Sequence, residues 1–138
     1  MAKPFTVRRR VEFVDTDMAG IMHFSNYFRM MESAEQEFLR SRGLTVAWME
    51  NGKRVGFPRV SASCDYSRAL RFEDVVEIAV TIERVGQKSV TYNFAFSCAG
   101  EAVANGKITT CCSREGSAGA SMVSIEIPEE IRKKLEVK

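Results

Sequence analysis

The sequence predicts an α+β domain in which one long helix is wrapped by an antiparallel sheet of about five to six strands. Three observations point there. Helical periodicity runs over one long stretch, Ser25 to Arg42. Period-2 alternation recurs several times after it, with turn residues and no second long helix between the runs. The helical stretch is also apolar over a wide arc. Phe24, Tyr27, Phe28, Met31, Ala34, Phe38 and Leu39 cover roughly 140° of a helical wheel, more than a surface helix needs, so a curved sheet has to cover it.

Each element has its own signal. A first strand is expected over Val7 to Val14, with Val7, Val11 and Phe13 on one face and Arg8, Arg10 and Glu12 on the other. Ser25 is a candidate N-cap for the helix, and Arg42 with Gly43 supplies a basic last turn and a C-cap. Leu44 to Val55 reads as a connection. After Pro58, the alternation Val60, Ala62, Cys64, Tyr66 gives a second strand. Val76, Ile78, Val80 and Ile82, alternating with Glu77, Ala79, Thr81 and Glu83, give a third that turns at Gly86. Val90, Tyr92, Phe94, Phe96 and Cys98 form a fourth. Ala99-Gly100-Glu101 turns it into a fifth, Ala102 to Ser113, making a hairpin. Ser113 to Ser121 is rich in Gly and Ser and reads as a flexible loop; Met122 to Ile127 follows as a short last strand, and Pro128 opens a terminal helix. No repeat or long linker interrupts the chain, so residues 1–138 are expected to form one domain.

Composition narrows the function. With 20 Lys and Arg against 18 Asp and Glu, the net charge is +2, and the only dense basic cluster is Arg8 to Arg10. That argues against nucleic acid as a partner, and the cluster reads as the wet end of a strand. The amino terminus has no apolar h-region and no window reaches the roughly 18 apolar residues of a membrane span, so a cytoplasmic, membrane-free protein is expected. Cys64, Cys98, Cys111 and Cys112 show no C-x-x-C spacing, and adjacent strand residues point to opposite faces; they read as core-filling thiols, with no metal site.

The chemistry concentrates in Asp15 to Tyr27, DTDMAGIMHFSNY, which joins the first strand to the helix. An Asp-x-x-Gly segment by itself commonly does no more than cap a turn. Here it is followed by Asn26-Tyr27 at the start of a long helix, with strands in the order above. Asp17-Met18-Ala19-Gly20 and Asn26-Tyr27 together resemble the 4-hydroxybenzoyl-CoA thioesterase-like branch of the hot-dog fold. The likeness is specific from Phe13 to about Gly43, including Glu32 and Leu39-Arg40, and beyond that rests on strand order.

That resemblance implies an acyl-CoA thioesterase, acting on acyl-CoA or sometimes acyl carrier protein thioesters. It implies no metal or redox cofactor, and a homodimer or homotetramer with sites between subunits. It assigns Asp17, not Asp15, as nucleophile or general base, and the backbone N–H of Phe24 as oxyanion donor. The chemistry is consistent: thioester hydrolysis needs an attacking or activating group beside the carbonyl carbon and a donor for the oxyanion. Gly20 permits the tight turn, and N–H groups around His23, Phe24 and Ser25 stand at the positive end of the helix dipole. Asn26, Tyr27 and Glu32 are expected around the substrate, Glu32 either orienting it or supporting the residues that touch it. His23 is expected as a pocket wall or a hydrogen-bond partner of substrate; a hydratase or dehydratase of this fold would place its histidine five positions after the aspartate, and here the spacing is six.

Glu35 lies inside the apolar arc, where an unpaired carboxylate is costly. It is expected to meet an arginine across a subunit contact; a helix carboxylate used in catalysis is the rival role. For the coenzyme phosphates the resemblance implies basic residues beside the turn between the third and fourth strands. Lys88 and Ser89 come first, then Arg68 and Arg71. A non-catalytic acyl-CoA-binding module remains the other class of function. A ligand sensor of that kind would carry a DNA-binding segment, for which no stretch of this sequence is available.

Overall fold

The computed structural model describes residues 4–117 and 121–136. Along the chain come β1 (Phe5–Arg10), a short 3-10 turn (Phe13–Asp15), α1 (Ser25–Ser41), β2 (Ala47–Glu50), β3 (Lys53–Gly56) and β4 (Arg59–Tyr66). Then follow β5 (Val75–Val85), β6 (Ser89–Cys98), β7 (Glu101–Cys111), β8 (Ser113–Arg114), β9 (Val123–Ser124) and α2 (Glu129–Leu135). The main sheet is antiparallel with order β1-β5-β6-β7-β4, and the four short strands form a second sheet, β2-β3-β8-β9.

Alternation decides the faces of the main sheet. Val76, Ile78 and Val80 on β5, Val90, Tyr92, Phe94 and Phe96 on β6, and Ala104 and Ile108 on β7 are all buried in one core with α1. Burying each large side chain contributes about 1.5–3 kcal/mol relative to leaving it wet. Bulges between Ile82 and Arg84 and between Phe96 and Ser97 bend these strands, which lets the sheet follow the helix.

Helix α1 presents Tyr27, Met30, Met31, Ala34, Glu35, Phe38 and Leu39 to that core. Phe38 meets Phe5 and Tyr92 edge-on at 5.9 and 6.0 Å, and Tyr27 meets Phe96 at 5.6 Å. The helix ends where Gly43 takes φ +71°: the Gly43 N–H bonds to the Arg40 carbonyl and the Leu44 N–H to that of Leu39, a Schellman stop. Gly106 on β7 sets how closely the helix approaches. A Cβ there would lie 2.3 Å from Met31 Sδ and 3.1 Å from the Ser63 carbonyl. Gly106→Val is therefore expected to destabilise the protein by about 1–3 kcal/mol through overpacking, read as a lowered Tm in a thermal melt.

Five expectations are corrected. The first strand stops at Arg10, because Glu12 to Asp15 form a capped 3-10 turn in which the Glu12 N–H donates to Asp15 Oδ2 at 2.9 Å. Phe13 is thereby turned outward and is 76% exposed, not on the Val7 face. Ser25 is not the N-cap: it is the first helical residue, Phe24 holds the cap position, and the Ser25 hydroxyl bonds His23 Nδ1 at 2.8 Å. The connection from Leu44 to Val55 contains the β2–β3 hairpin, turned by Asn51 and Gly52 at positive φ. Within Met122 to Ile127 only Val123–Ser124 is strand. Of the expected Ser113 to Ser121 loop, Ser113–Arg114 is strand β8 and residues 118–120 lie outside the described residues.

Candidate active site

The turn before α1 is built by its own backbone. An isolated bridge joins Thr16 to Met22, the Asp17 N–H donates to the Ile21 carbonyl at 2.9 Å, and the Gly20 N–H donates to the Asp17 carbonyl at 2.9 Å. Gly20 adopts φ +79°, a conformation that favours glycine. Asp17 Oδ1 accepts the Ala19 N–H at 2.9 Å, so the carboxylate is held by the turn. The turn is then fastened to its surroundings: the Met22 N–H donates to the Leu70 carbonyl at 2.7 Å, and the Asp15 carbonyl receives both the His23 N–H and the Asn26 side-chain amide.

Next to this turn lies a cleft of about 400 Å3, lined by Asp17, Ile21, Met22, Phe24, Tyr27, Tyr66, Ser67, Arg68 and Ala69. Tyr27 packs on Tyr66 with ring centroids 4.6 Å apart. Four of the five N–H groups at the head of α1 are occupied: His23 by the Asp15 carbonyl, Ser25 by His23 Nδ1, Asn26 by the His23 carbonyl and Tyr27 by the Phe24 carbonyl. Among the described residues the Phe24 N–H has no partner, and Phe24 lines the cleft. The positive end of the helix dipole therefore offers one open donor on the wall that carries Asp17.

Other expected site residues fall differently. Asp15 is spent on its 3-10 cap. Asn26 spends its amide on the Asp15 carbonyl, tying turn to helix. His23 stacks on Phe24 at 4.7 Å and is not in the cleft lining. Lys88 and Ser89 sit at the far end of the main sheet: seven positions of β6 separate Ser89 from Phe96, about 23 Å, and it is Phe96 that reaches Tyr66 through Ala104. Within one chain they are not brought together with Asp17. Arg68 is, although its side chain pairs with Glu101; Arg71 is exposed, its backbone N–H taken by Asp74.

Glu35 and Glu32 form a second cluster. Glu35 is fully buried, and its Oε1 accepts from Arg59 Nε at 2.9 Å and Nη2 at 2.6 Å. Arg59 Nη1 also lies 3.3 Å from Glu32. The arginine expected across a subunit contact is thus in the same chain, and Glu32 is paired with it, away from the Asp17 cleft. Burial raises the Glu35 carboxyl above its usual range despite the Arg59 guanidinium, which lowers it. Burial, then the Glu35 charge, pushes the Tyr92 hydroxyl up as well. A further cleft of about 440 Å3 opens beside Arg59, walled by Val46, Phe57, Pro58 and Met122.

The four cysteines are free thiols. Burial pushes Cys64 and Cys112 up to about 11, which leaves neither as a thiolate near neutral pH. Among the described residues no cluster of His, Cys, Asp and Glu has the makings of a metal site, and no helix is long and apolar enough to cross a membrane.

A family description, the thioesterase-like superfamily, matches residues 11–135. The chain belongs to the thioesterase-like superfamily. Its fold is similar to a solved Aquifex aeolicus protein of 31% identity with TM-score 0.83, covering 96% of this chain and all of that one. It is also similar to a gentisyl-coenzyme A thioesterase, at 28% identity and TM-score 0.78 over 93% of this chain and 99% of the other. In sequence it is 33% identical, over 70% of each chain, to the 4-hydroxybenzoyl-CoA thioesterase of Pseudomonas sp. strain CBS-3. The hot-dog architecture and the thioester hydrolase class expected from the resemblance both hold for this member of the superfamily.

Sequence reasoning missed Tyr66 and Ser67 as cleft residues and Arg59 as the partner of Glu35. Tyr66 was visible only as the end of an alternating strand, and its meeting with Tyr27 depends on β4 lying beside β7. The cost of burying Glu35 did signal an arginine, but nothing local pointed to one 24 residues away.

Proposed function

We propose that the protein hydrolyses an acyl-CoA thioester to the free acid and coenzyme A, with Asp17 as nucleophile or general base and the Phe24 N–H donating to the carbonyl oxygen. The observation that carries this is the pairing of the turn-held Asp17 carboxylate with an open helix N-terminal donor on one cleft. In the base route, Asp17 takes a proton from water as it attacks the carbonyl carbon. In the nucleophile route, an Asp17 oxygen displaces the thiolate and water then cleaves the anhydride. In both, charge building on the carbonyl oxygen is met by the Phe24 N–H, and coenzyme A leaves as thiolate and takes up a proton. Single turnover in oxygen-18 water tests the nucleophile route: water that opens the anhydride at the Asp17 carbonyl leaves label in Asp17, which the base route never does.

Arg68 is the cation on the cleft, and it supports binding of a coenzyme phosphate once it leaves Glu101. Arg68→Ala is expected to raise KM about tenfold with kcat changed far less, and to flatten the rise of KM with salt. Lys88→Ala measured alongside asks whether a residue remote from its own chain's cleft serves a neighbouring subunit's site.

Self-association through β4 fits this reading. β4 is an eight-residue edge strand of the main sheet, with Val60 63% and Tyr66 45% exposed, and an open edge of that kind invites a further strand. Sedimentation is expected to give a dimer or larger at micromolar concentration; an active monomer contradicts it.

A further inference from the structure

The Asp17 carboxylate and the Phe24 N–H stand on different arms of the turn before α1. One arm is Asp15 to Asp17, the other Ile21 to Tyr27, and Met18 to Gly20 joins them. Two backbone bonds tie the arms together and make the Thr16–Met22 bridge: the Asp17 N–H donates to the Ile21 carbonyl at 2.9 Å, and the His23 N–H to the Asp15 carbonyl at 2.8 Å. Both lie on the amino-terminal side of Phe24. A third tie comes from a side chain, Asn26 Nδ2 to the same Asp15 carbonyl at 2.9 Å, and it lies on the helix side of Phe24. One carbonyl therefore holds the chain both before and after the donor peptide. Asp15 is itself fixed, because its side chain accepts the Glu12 N–H.

The needs of the helix do not explain this asparagine. Phe24 holds the cap position, so Asn26 is the second residue of α1. A side chain there stabilises a helix by accepting one of its free N–H groups or by bringing negative charge to the positive end of its dipole. Asn26 does neither: it is neutral, and its amide donates away from the helix to a carbonyl of the turn. Aspartate has the same shape and suits the dipole better, but it would face the Asp15 carbonyl with an oxygen in place of an N–H. Contact with substrate does not explain the residue either, since Asn26 is not in the cleft lining. What the bond does is set the angle at which the head of α1 leaves the turn, and with it the separation of the Phe24 N–H from Asp17.

We propose that Asn26 is a positioning residue of thioester hydrolysis: its bond to the Asp15 carbonyl holds the Phe24 N–H in register with the Asp17 carboxylate, so that one substrate carbonyl meets both. The proposal rests on the thioesterase reading. A misplacement of about 1 Å in such a pair is enough to cost about a hundredfold in rate. An asparagine that only bound substrate would act on KM instead.

The test is the kinetics of Asn26→Asp and Asn26→Ala by thiol release, with thermal melts, against a wild type that hydrolyses acyl-CoA. Both variants are expected to lower kcat at least about tenfold, with KM within about threefold of wild type. Asn26→Asp is expected to melt at or above the wild-type Tm, because an acid at this position suits the helix dipole; the kinetic loss is thereby separated from a loss of fold. Asn26→Ala adds no charge, so its agreement with Asn26→Asp assigns the loss to the missing donor. Amide hydrogen exchange reads the tether without activity. The His23 N–H, which shares the Asp15 carbonyl, is expected to exchange at least about tenfold faster in both variants, and the Met31 N–H inside α1 at its wild-type rate. A raised KM with kcat held, a kcat loss confined to Asn26→Asp or to variants that unfold at the assay temperature, or His23 exchange at the wild-type rate each overturn the proposal while leaving the thioesterase reading in place. A wild type that hydrolyses no acyl-CoA removes that reading and this proposal with it.

Discussion

Asp17→Asn is expected to lower kcat at least about a hundredfold while acyl-CoA binds near its wild-type affinity. The amide is the size of the carboxylate and keeps an oxygen to accept the Ala19 N–H, so the turn that Asp17 caps survives. The bonds that fasten the turn run through backbone groups of Asp17, Met22 and His23 and the Asn26 amide, none of which the substitution touches. What is lost is the negative oxygen that attacks the carbonyl or takes a proton from water. Steady-state kinetics with calorimetric binding separates the two effects. Asp15→Asn and His23→Ala are controls with smaller expected losses, since Asp15 serves the 3-10 cap and His23 is outside the cleft. If Asp17→Asn keeps more than a tenth of wild-type turnover while Glu35→Gln loses nearly all of it, the attacking carboxylate is on the helix.

Arg59→Leu is expected to have the largest effect on stability, about 3–5 kcal/mol at neutral pH, because it strands Glu35 as an uncompensated buried charge. For a chain of this size that corresponds to a Tm drop of roughly 10–15 °C. The loss depends on pH with a definite sign. The folded-state Glu35 carboxyl is raised above the ordinary 4.5 by burial. A raised acid costs nothing while it is protonated in both states, and its cost appears as pH climbs from the unfolded value through the folded one. Removing Arg59 takes away the one influence that lowers it, so the folded value rises further and the penalty at neutral pH grows. The Arg59→Leu deficit is therefore expected to be small near pH 4 and to widen toward pH 7. Adding Glu35→Leu to Arg59→Leu is expected to recover most of the stability at neutral pH and to abolish the pH trend. Urea melts at several pH values measure both.

Much of the fold was legible because its strong elements are periodic. The α1 stripe and the β5, β6 and β7 alternations follow burial on one face, and Gly43 and Gly100 stop the helix and turn the hairpin through the positive-φ backbone that glycine adopts readily. The second sheet was not legible. Its strands are two to four residues long, too short for a period to register, although Asn51-Gly52 is a strong hairpin signal. Phe13 continued the alternation of Val7 and Val11 in sequence, yet the Glu12–Asp15 cap turned the chain and left it outward. For the site, the Asp17 turn and the helix head lie in one continuous segment, so local chemistry pointed to both. The rest of the cleft comes from Tyr66 to Ala69, delivered by the long-range pairing of β4 with β7. Lys88 looked suitable because it is basic and in a turn, properties that carry no information about which end of a sheet the turn occupies.

The most direct measurement of the central claim is thiol release by the purified wild-type protein across a panel of aroyl-CoA and medium-chain acyl-CoA thioesters. Saturable hydrolysis of at least one of them is expected, with kcat/KM of about 10⁴ M⁻¹s⁻¹ or more, abolished to background by Asp17→Asn. Saturable acyl-CoA binding with no hydrolysis above the spontaneous rate for any substrate would contradict it and make the Asp17 cleft a ligand-binding site without turnover.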